Sequence, residues 1–243
     1  MKTKNYNIFL IAIMLITASL AQGCISDLNT IKGNKDVVSV ELTPGAFDAI
    51  HISGVFRVFL EEGSTPYVRI ETDENIHEYV SASVRSNTLH LETERGQNYN
   101  PTRLDVYINI NQLSSLHISG AASVSSAHTL TSENLKLILS GASNIDLKLD
   151  ADKVSTSISG AGKVNLAGNA REHRIQISGV GKLECLNLNT ADTRVNISGA
   201  GSANVHAEES LNASVSGVGR IRYAGNPASL HTSTSGPGSI RPI

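Results

Sequence analysis

Carboxylates are the side chains of this sequence most able to carry chemistry. Polysaccharide cleavage needs two acids facing one cleft, and clustered acids also hold Ca2+. The candidates are Asp146, Asp150, Asp152, Glu184, Glu208 and Glu209. A second candidate is the stretch GAGKVNLAG at residues 160–168, which has the look of a phosphate-cradling loop. It fails on spacing: the third glycine of a dinucleotide fingerprint is replaced by Asn165, and Lys163 is followed by Val164 rather than Ser or Thr. The eight histidines (51, 77, 90, 117, 128, 173, 206 and 231) show no metal-ligand spacing and read as lying on a solvated strand face. His51 and His117 share one repeat position, but the 66 residues between them argue against adjoining coils. Of the two cysteines, Cys185 is either a lone nucleophile or a small apolar core residue.

What positions these residues is an internal repeat. A serine–glycine pair recurs eight times, in HISGVF, HISGAA, ILSGAS, SISGAG, QISGVG, NISGAG, SVSGVG and STSGPG. The glycines are Gly54, Gly120, Gly141, Gly160, Gly179, Gly199, Gly217 and Gly236. From Gly120 onward they fall 18–21 residues apart. So short a period admits one coil of a β-solenoid and excludes a helix-containing repeat. Around each glycine the apolar residues alternate with polar ones, the period of a strand. Two places before it stand Ile52, Ile118, Leu139, Ile158, Ile177, Ile197 and Val215; six places after it stand Leu60, Ser126, Leu147, Leu166, Cys185, Val205 and Tyr223. Cys185 therefore reads as core. The same register aligns Asp146 with Asn165, Glu184, Asn204 and Arg222, a column of mixed charge without paired acids.

Each coil needs its glycine either for a backbone conformation closed to other residues or for a close approach between stacked backbones. The preceding serines, Ser53, Ser119, Ser140, Ser159, Ser178, Ser198, Ser216 and Ser235, should form a ladder with rungs about 4.8 Å apart. Their hydroxyls can bond freed backbone groups or one another. The last copy has Thr232 and Thr234 in the inward columns and carries Pro237 and Pro242, features that blunt an open sheet edge. Residues 37–112 also alternate as strands between turn residues and open the same solenoid with longer excursions; a short helix is expected over residues 74–79. The fold class is all-β: a parallel β-helix or β-solenoid of about 19-residue coils, with longer strands and turns in its N-terminal part.

The first residues lie outside this pattern. Lys2 and Lys4 precede an apolar run, residues 8–20, too short to span a bilayer comfortably. The following AQGC places Gly23 and Cys24 as in the lipobox of bacterial lipoproteins, which the segment resembles. Residues 1–23 then read as a signal peptide, Cys24 as the lipidated residue, 24–36 as a polar tether and 37–243 as a single domain. The membrane is thus a partner through the N-terminal lipid, with the outer membrane as the expected location. Aromatics make up 4% of the chain, and there is no Trp, which argues against a cleft of stacked aromatic platforms. The net charge of −2 gives no basic face for nucleic acid. No cofactor or metal is expected.

The opening FDAIHISGVFRVFLEEGSTPYVRIETDENI, then LDVYINI and the serial ISGAG coils, resembles the auto-transporter adhesin head GIN domain family of Bacteroidetes. The resemblance covers residues 37–243. It implies a right-handed parallel β-helix, an envelope location and an adhesin role, and it brings no catalytic residues. The leading reading is a non-catalytic envelope lipoprotein that presents a repetitive face to a glycan or protein partner, with a homo-oligomer compatible. Two alternatives stand beside it: a glycan-active β-helix enzyme, and a periplasmic envelope-stress sensor or scaffold.

Overall fold

A computed structural model describes residues 30–243 apart from residues 64 and 111. The signal segment, Cys24 and the first part of the tether lie outside the described residues. The chain forms a parallel β-solenoid of about seven coils, about 19 residues apart. One side is built from the residues before each marker glycine. Ala49–Ser53 pairs in parallel with Ser115–Ile118, and residues 136–139, 155–158, 174–177, 194–197, 212–215 and 231–234 follow in unbroken register. The second side stacks Val55–Glu61, then residues 121–126, 142–147, 161–166, Val180–Cys185, Ser202–His206, Arg220–Ala224 and Ser239–Pro242. A short third side carries residues 148–151, 168–170 and 188–190.

The core is the sum of the inward columns. Ile52, Ile118, Leu139, Ile158, Ile177, Ile197 and Val215 lie in contact register and are all buried, as are Val58, Val124, Ile145, Val164, Leu183, Ala203 and Ile221. Removing side chains of this size from water contributes roughly 1.5–3 kcal/mol each. The third side adds Leu130, Leu149 and Leu188. Where its register reaches Gly168, the backbone takes φ +115° and a Cβ would collide with the carbonyl of Leu149. Cys185 is buried beside Leu166 and Val205, and burial pushes its thiol pKa up, so it is packing and not a nucleophile.

The marker glycines follow the second of the two physical reasons. Gly120, Gly141, Gly160, Gly179, Gly199 and Gly217 show no left-handed backbone. Instead a Cβ on each would fall on the carbonyl oxygen of the corner glycine one coil below. The N–H groups of serine and glycine both donate to the isoleucine or leucine carbonyl beneath, as Ser159 (2.9 Å) and Gly160 (3.2 Å) do to Leu139, and the next N–H, of Ala161, donates to the Gly141 oxygen at 3.1 Å. Backbone rests on backbone with no side chain between. The two end copies are exceptions: Gly54 has φ +156° and a Cβ there would meet the side chains of Phe56 and Thr93, and Gly236 has φ +118° and no close contact below.

The N-terminal part extends the solenoid out of sequence order. Thr88–Thr93 lies parallel beneath Ala49–Ser53, and Leu104–Asn109 beneath residues 57–61. Residues 88–109 thus form the rung below the first ISG coil, and the chain then passes over that coil to begin the next at Ser115. Antiparallel strands complete this end: Tyr67–Asp73 on Leu104–Asn109, Val37–Leu42 on Tyr67–Asp73, and Val80–Arg85 on Thr88–Thr93. The helix is a single turn, Glu74–His77, that buries Ile76. The last part of the expected tether belongs to the fold, because Thr30–Lys32 pairs with Asn98–Asn100. The buried carboxylate of Asp73 fixes that junction by accepting from the N–H of Lys35 (2.8 Å) and from the N–H and O–H of Thr102 (both 2.7 Å). Burial alone would raise its pKa, but these donors hold it below the usual carboxylate value. At the other end, Ser229–Thr234 is exposed along its whole length, with Thr232 and Thr234 in the inward columns.

One histidine departs from the expected solvated strand face. His173 occupies an inward column between Val154 and Thr193, 1% exposed, with its Nε2 3.0 Å from Thr156 Oγ1. It shares the inward phase of Ile175 and Ile177, which is shifted by one residue from that of Val164, Leu166 and Ala170, and Thr156 supplies the polar partner that burial demands. Burial drives its pKa down to about 3, from 6.5. The folded chain therefore resists a proton that the unfolded chain accepts, so its contribution to stability is whole above pH 6.5 and drains away as the pH falls toward 3.

Two outcomes follow from this architecture. Substitution Gly160→Ala should cost about 2–4 kcal/mol in denaturant unfolding, whereas Gly45→Ala, where a Cβ meets nothing within 4 Å, should change stability by less than about 0.5 kcal/mol. Equal stability of the two variants would contradict the backbone stack. Between pH 6 and 4.5, unfolding of the native chain should lose about 2 kcal/mol more than that of His173→Leu. Parallel pH profiles for the two would show that His173 is not held neutral.

Candidate functional site

The serine ladder faces outward. All eight serines are exposed except Ser53, which is half-buried. Where the hydroxyls bond, they do not bond each other: Ser119 Oγ donates to the Ile52 carbonyl at 3.3 Å and lies 3.2 Å from His51 Nε2, and Ser159 Oγ donates to the Leu139 carbonyl at 3.4 Å. Beside them, the residues after each glycine make an exposed apolar edge that includes Val55, Val180 and Val218. The ladder is a by-product of the corner, and it assembles no reactive group.

The acids are dispersed. The column through Phe59 reads Ser125, Asp146, Asn165, Glu184, Asn204, Arg222 and Arg241 in strict register. Glu184 is held by Asn204 Nδ2 at 2.6 Å and Lys182 Nζ at 2.9 Å. Burial would raise its pKa, but these two donors keep it low and ionised. Asp152 takes both arms of Arg171 on the neighbouring rung, at 2.6 and 3.1 Å. Glu184 and Asp152 thus tie rungs together, and both are lowered, away from the range of a general acid. Among the described residues, no group of three or more His, Cys, Asp and Glu is placed to hold a metal ion.

Two arrangements escaped the sequence reading. The first is a clamp on the outer face of the N-terminal sheet. Asp105, 2% exposed, receives Arg57 at 2.5 and 2.6 Å and Arg103 at 2.7 Å. Arg103 also reaches Glu71, and the Tyr107 ring lies between Phe59 (5.0 Å) and the guanidinium of Arg69 (4.1 Å). Burial would raise Asp105, but the two guanidinium groups hold it below the ordinary range. The second is a histidine stack. His90, His51 and His117 lie on successive rungs; the His51 and His117 rings are parallel at 4.5 Å and His90 meets His51 edge-on at 5.4 Å. The 66-residue separation is thus no barrier to contact, because the intervening chain builds the rung below. Burial and then mutual repulsion lower the pKa of His51 and His117.

A concavity runs along the corner between the third and first sides. Its widest part, about 510 Å3, is lined by Ser114, Asn134, Lys136, Lys153, Ser155 and Arg174 among others. It continues past Arg174 and Arg194 to Asn212 through two further hollows that share these residues. Its floor column is Ser115, Lys136, Ser155, Arg174, Arg194, Asn212 in register. These residues stand five places before successive marker glycines, so aligning the repeats on that position would have exposed the basic run.

The whole geometry has close counterparts. A Bacteroides fragilis protein described as a putative adhesin shares 27% identity, with a TM-score of 0.85 over 88% of this chain and 100% of that one. A second protein described in the same words, from Parabacteroides merdae, shares 27% identity with a TM-score of 0.69 over 88% and 99%. A Parabacteroides distasonis protein described as a putative lipid binding protein has the same fold at 20% identity, with a TM-score of 0.70 over 88% and 99%. No curated protein matches the sequence. Residues 46–227 match the family model "Putative auto-transporter adhesin, head GIN domain". With three-quarters of its length in that match and its coils superimposed on those structures, the chain belongs to the auto-transporter adhesin head GIN domain family.

Proposed function

We propose that the chain is a non-catalytic, lipid-anchored module of the cell envelope that binds a partner along its solenoid in the manner of an adhesin. The observation that carries this reading is the trough across successive coils, set on a frame whose first and second sides each keep parallel register from rung to rung. A rigid frame lets side chains from many coils act together without ordering cost at the moment of binding. Membership in an adhesin family supports the envelope location. The ionised, partnered state of Glu184 and Asp152 supports a binding rather than a hydrolytic role. The anchor is Cys24, read from the lipobox-like AQGC. No helix among the described residues is long and apolar enough to cross a membrane.

Two strains test the reading. Cys24→Ala should move the protein from the membrane pellet to the soluble fraction, and deletion of the gene should lower adherence of cells to host or biofilm surfaces, restored by the native chain. Retention of the Cys24→Ala protein in the pellet would contradict the anchor, and undiminished adherence of the deletion strain would contradict the adhesin role.

A further inference from the structure

We infer that the trough between Ser115 and Asn212 binds an acidic polysaccharide laid along the solenoid axis; this rests on the partner-binding reading above and names the partner's chemistry. Lys136, Lys153, Arg174 and Arg194 line the trough and are exposed. Two carboxylates share the trough: Glu172 receives Arg174 Nε at 2.6 Å, and Asp192 accepts from the Ser210 hydroxyl, so the four cations outnumber the acids by two. Among the described residues, no carboxylate lies within ion-pair distance of Lys136, Lys153 or Arg194. In a chain whose overall charge is −2, this strip is a local reversal of sign.

The shape selects a polymer. Six rungs from Ser115 to Asn212 span about 24 Å at the spacing of stacked strands. The trough is shallow and continuous, unlike the enclosed apolar pockets that hold small ligands. Its cations recur every one or two rungs, about 5–10 Å, on the scale of one or two sugar units. Between them stand groups suited to sugar hydroxyls, including Ser114, Ser155, Asn134, Gln176 and Asn196.

Other occupants fit less well. Acyl chains need apolar walls, and the apolar residues of the trough, Leu135, Val154 and Ile175, are turned into the core at 2%, 1% and 3% exposure. A single-stranded nucleic acid needs aromatic platforms for its bases, and the trough has none. An added peptide strand needs free backbone groups, but the rungs beneath the trough are paired to one another.

The experiment uses the full chain in detergent on surfaces bearing polygalacturonate, heparin or neutral dextran, across a series of NaCl concentrations. The expected result is binding to at least one acidic polymer, weakened by salt, and none to dextran. The triple variant Lys136→Glu, Lys153→Glu, Arg194→Glu should bind about tenfold or more weakly. The triple Lys163→Glu, Lys182→Glu, Arg220→Glu, with the same charge change on the second side, should stay within about twofold of the native chain. Thermal unfolding of both triples checks that they fold, and the milder single Arg194→Gln should give a smaller loss in the same direction. No binding to either acidic polymer, equal loss in both triples, or binding only to anionic phospholipid vesicles would overturn the inference. If cells carrying the trough triple adhere like wild type while the deletion strain does not, the trough fails and the adhesin reading stands.

Discussion

The contact on which this molecule rests is between backbones, at one corner. There the carbonyl of each marker glycine from Gly54 to Gly199 lies where the next coil's glycine would carry a side chain. With Cβ absent, the coils close to strand spacing at the point where the chain bends most sharply. Three successive N–H groups then find acceptors one coil down. A solenoid buries its apolar columns only if every rung keeps this spacing. One residue type at one position per coil therefore sets the pitch for the whole core.

Chemistry on such a frame is constrained in a characteristic way. Each outward side chain has as neighbours its counterparts one rung away, so functional groups come as ladders. A ladder of unlike charges neutralises itself, as Asp152 and Arg171 do. A ladder of like groups is strained or awaits a partner. His51 on His117 shows the first of these states, with both rings pushed toward neutrality by burial and proximity. Lys136 and Arg194, with no carboxylate at ion-pair distance among the described residues, fit the second.

The coils could be read from the sequence because they are local and periodic. Ile158 and Val164 announce their inward direction by alternation, and Gly160 marks the corner between them. The N-terminal end was harder. Nothing in residues 88–93 records that they lie beneath residues 49–53, because a parallel pairing across an excursion leaves no mark in either segment. The stacking of His51 on His117 followed from that unseen rung. His173 was missed for another reason: its type reads as polar, and only its register with Val154 and Thr193 shows that it faces inward. Asp105 stands among apolar residues in LDVYINI, yet its partners Arg57 and Arg103 come from a different rung and a neighbouring loop. The trough was present in the sequence as the position five before each glycine, a column visible only when coils are aligned for charge instead of apolarity.

Amide hydrogen exchange at the corner tests the central contact most directly. The side chains of Ala142, Ala161 and Val180 are exposed, so a loop-like corner would let their N–H groups exchange quickly. Because each donates to the glycine carbonyl one coil below, the account predicts protection as strong as that of the buried strand amides of Ile145 and Val164, lost only when whole coils open. Exchange at these three amides on the timescale of surface loops, with the strands still protected, would contradict it.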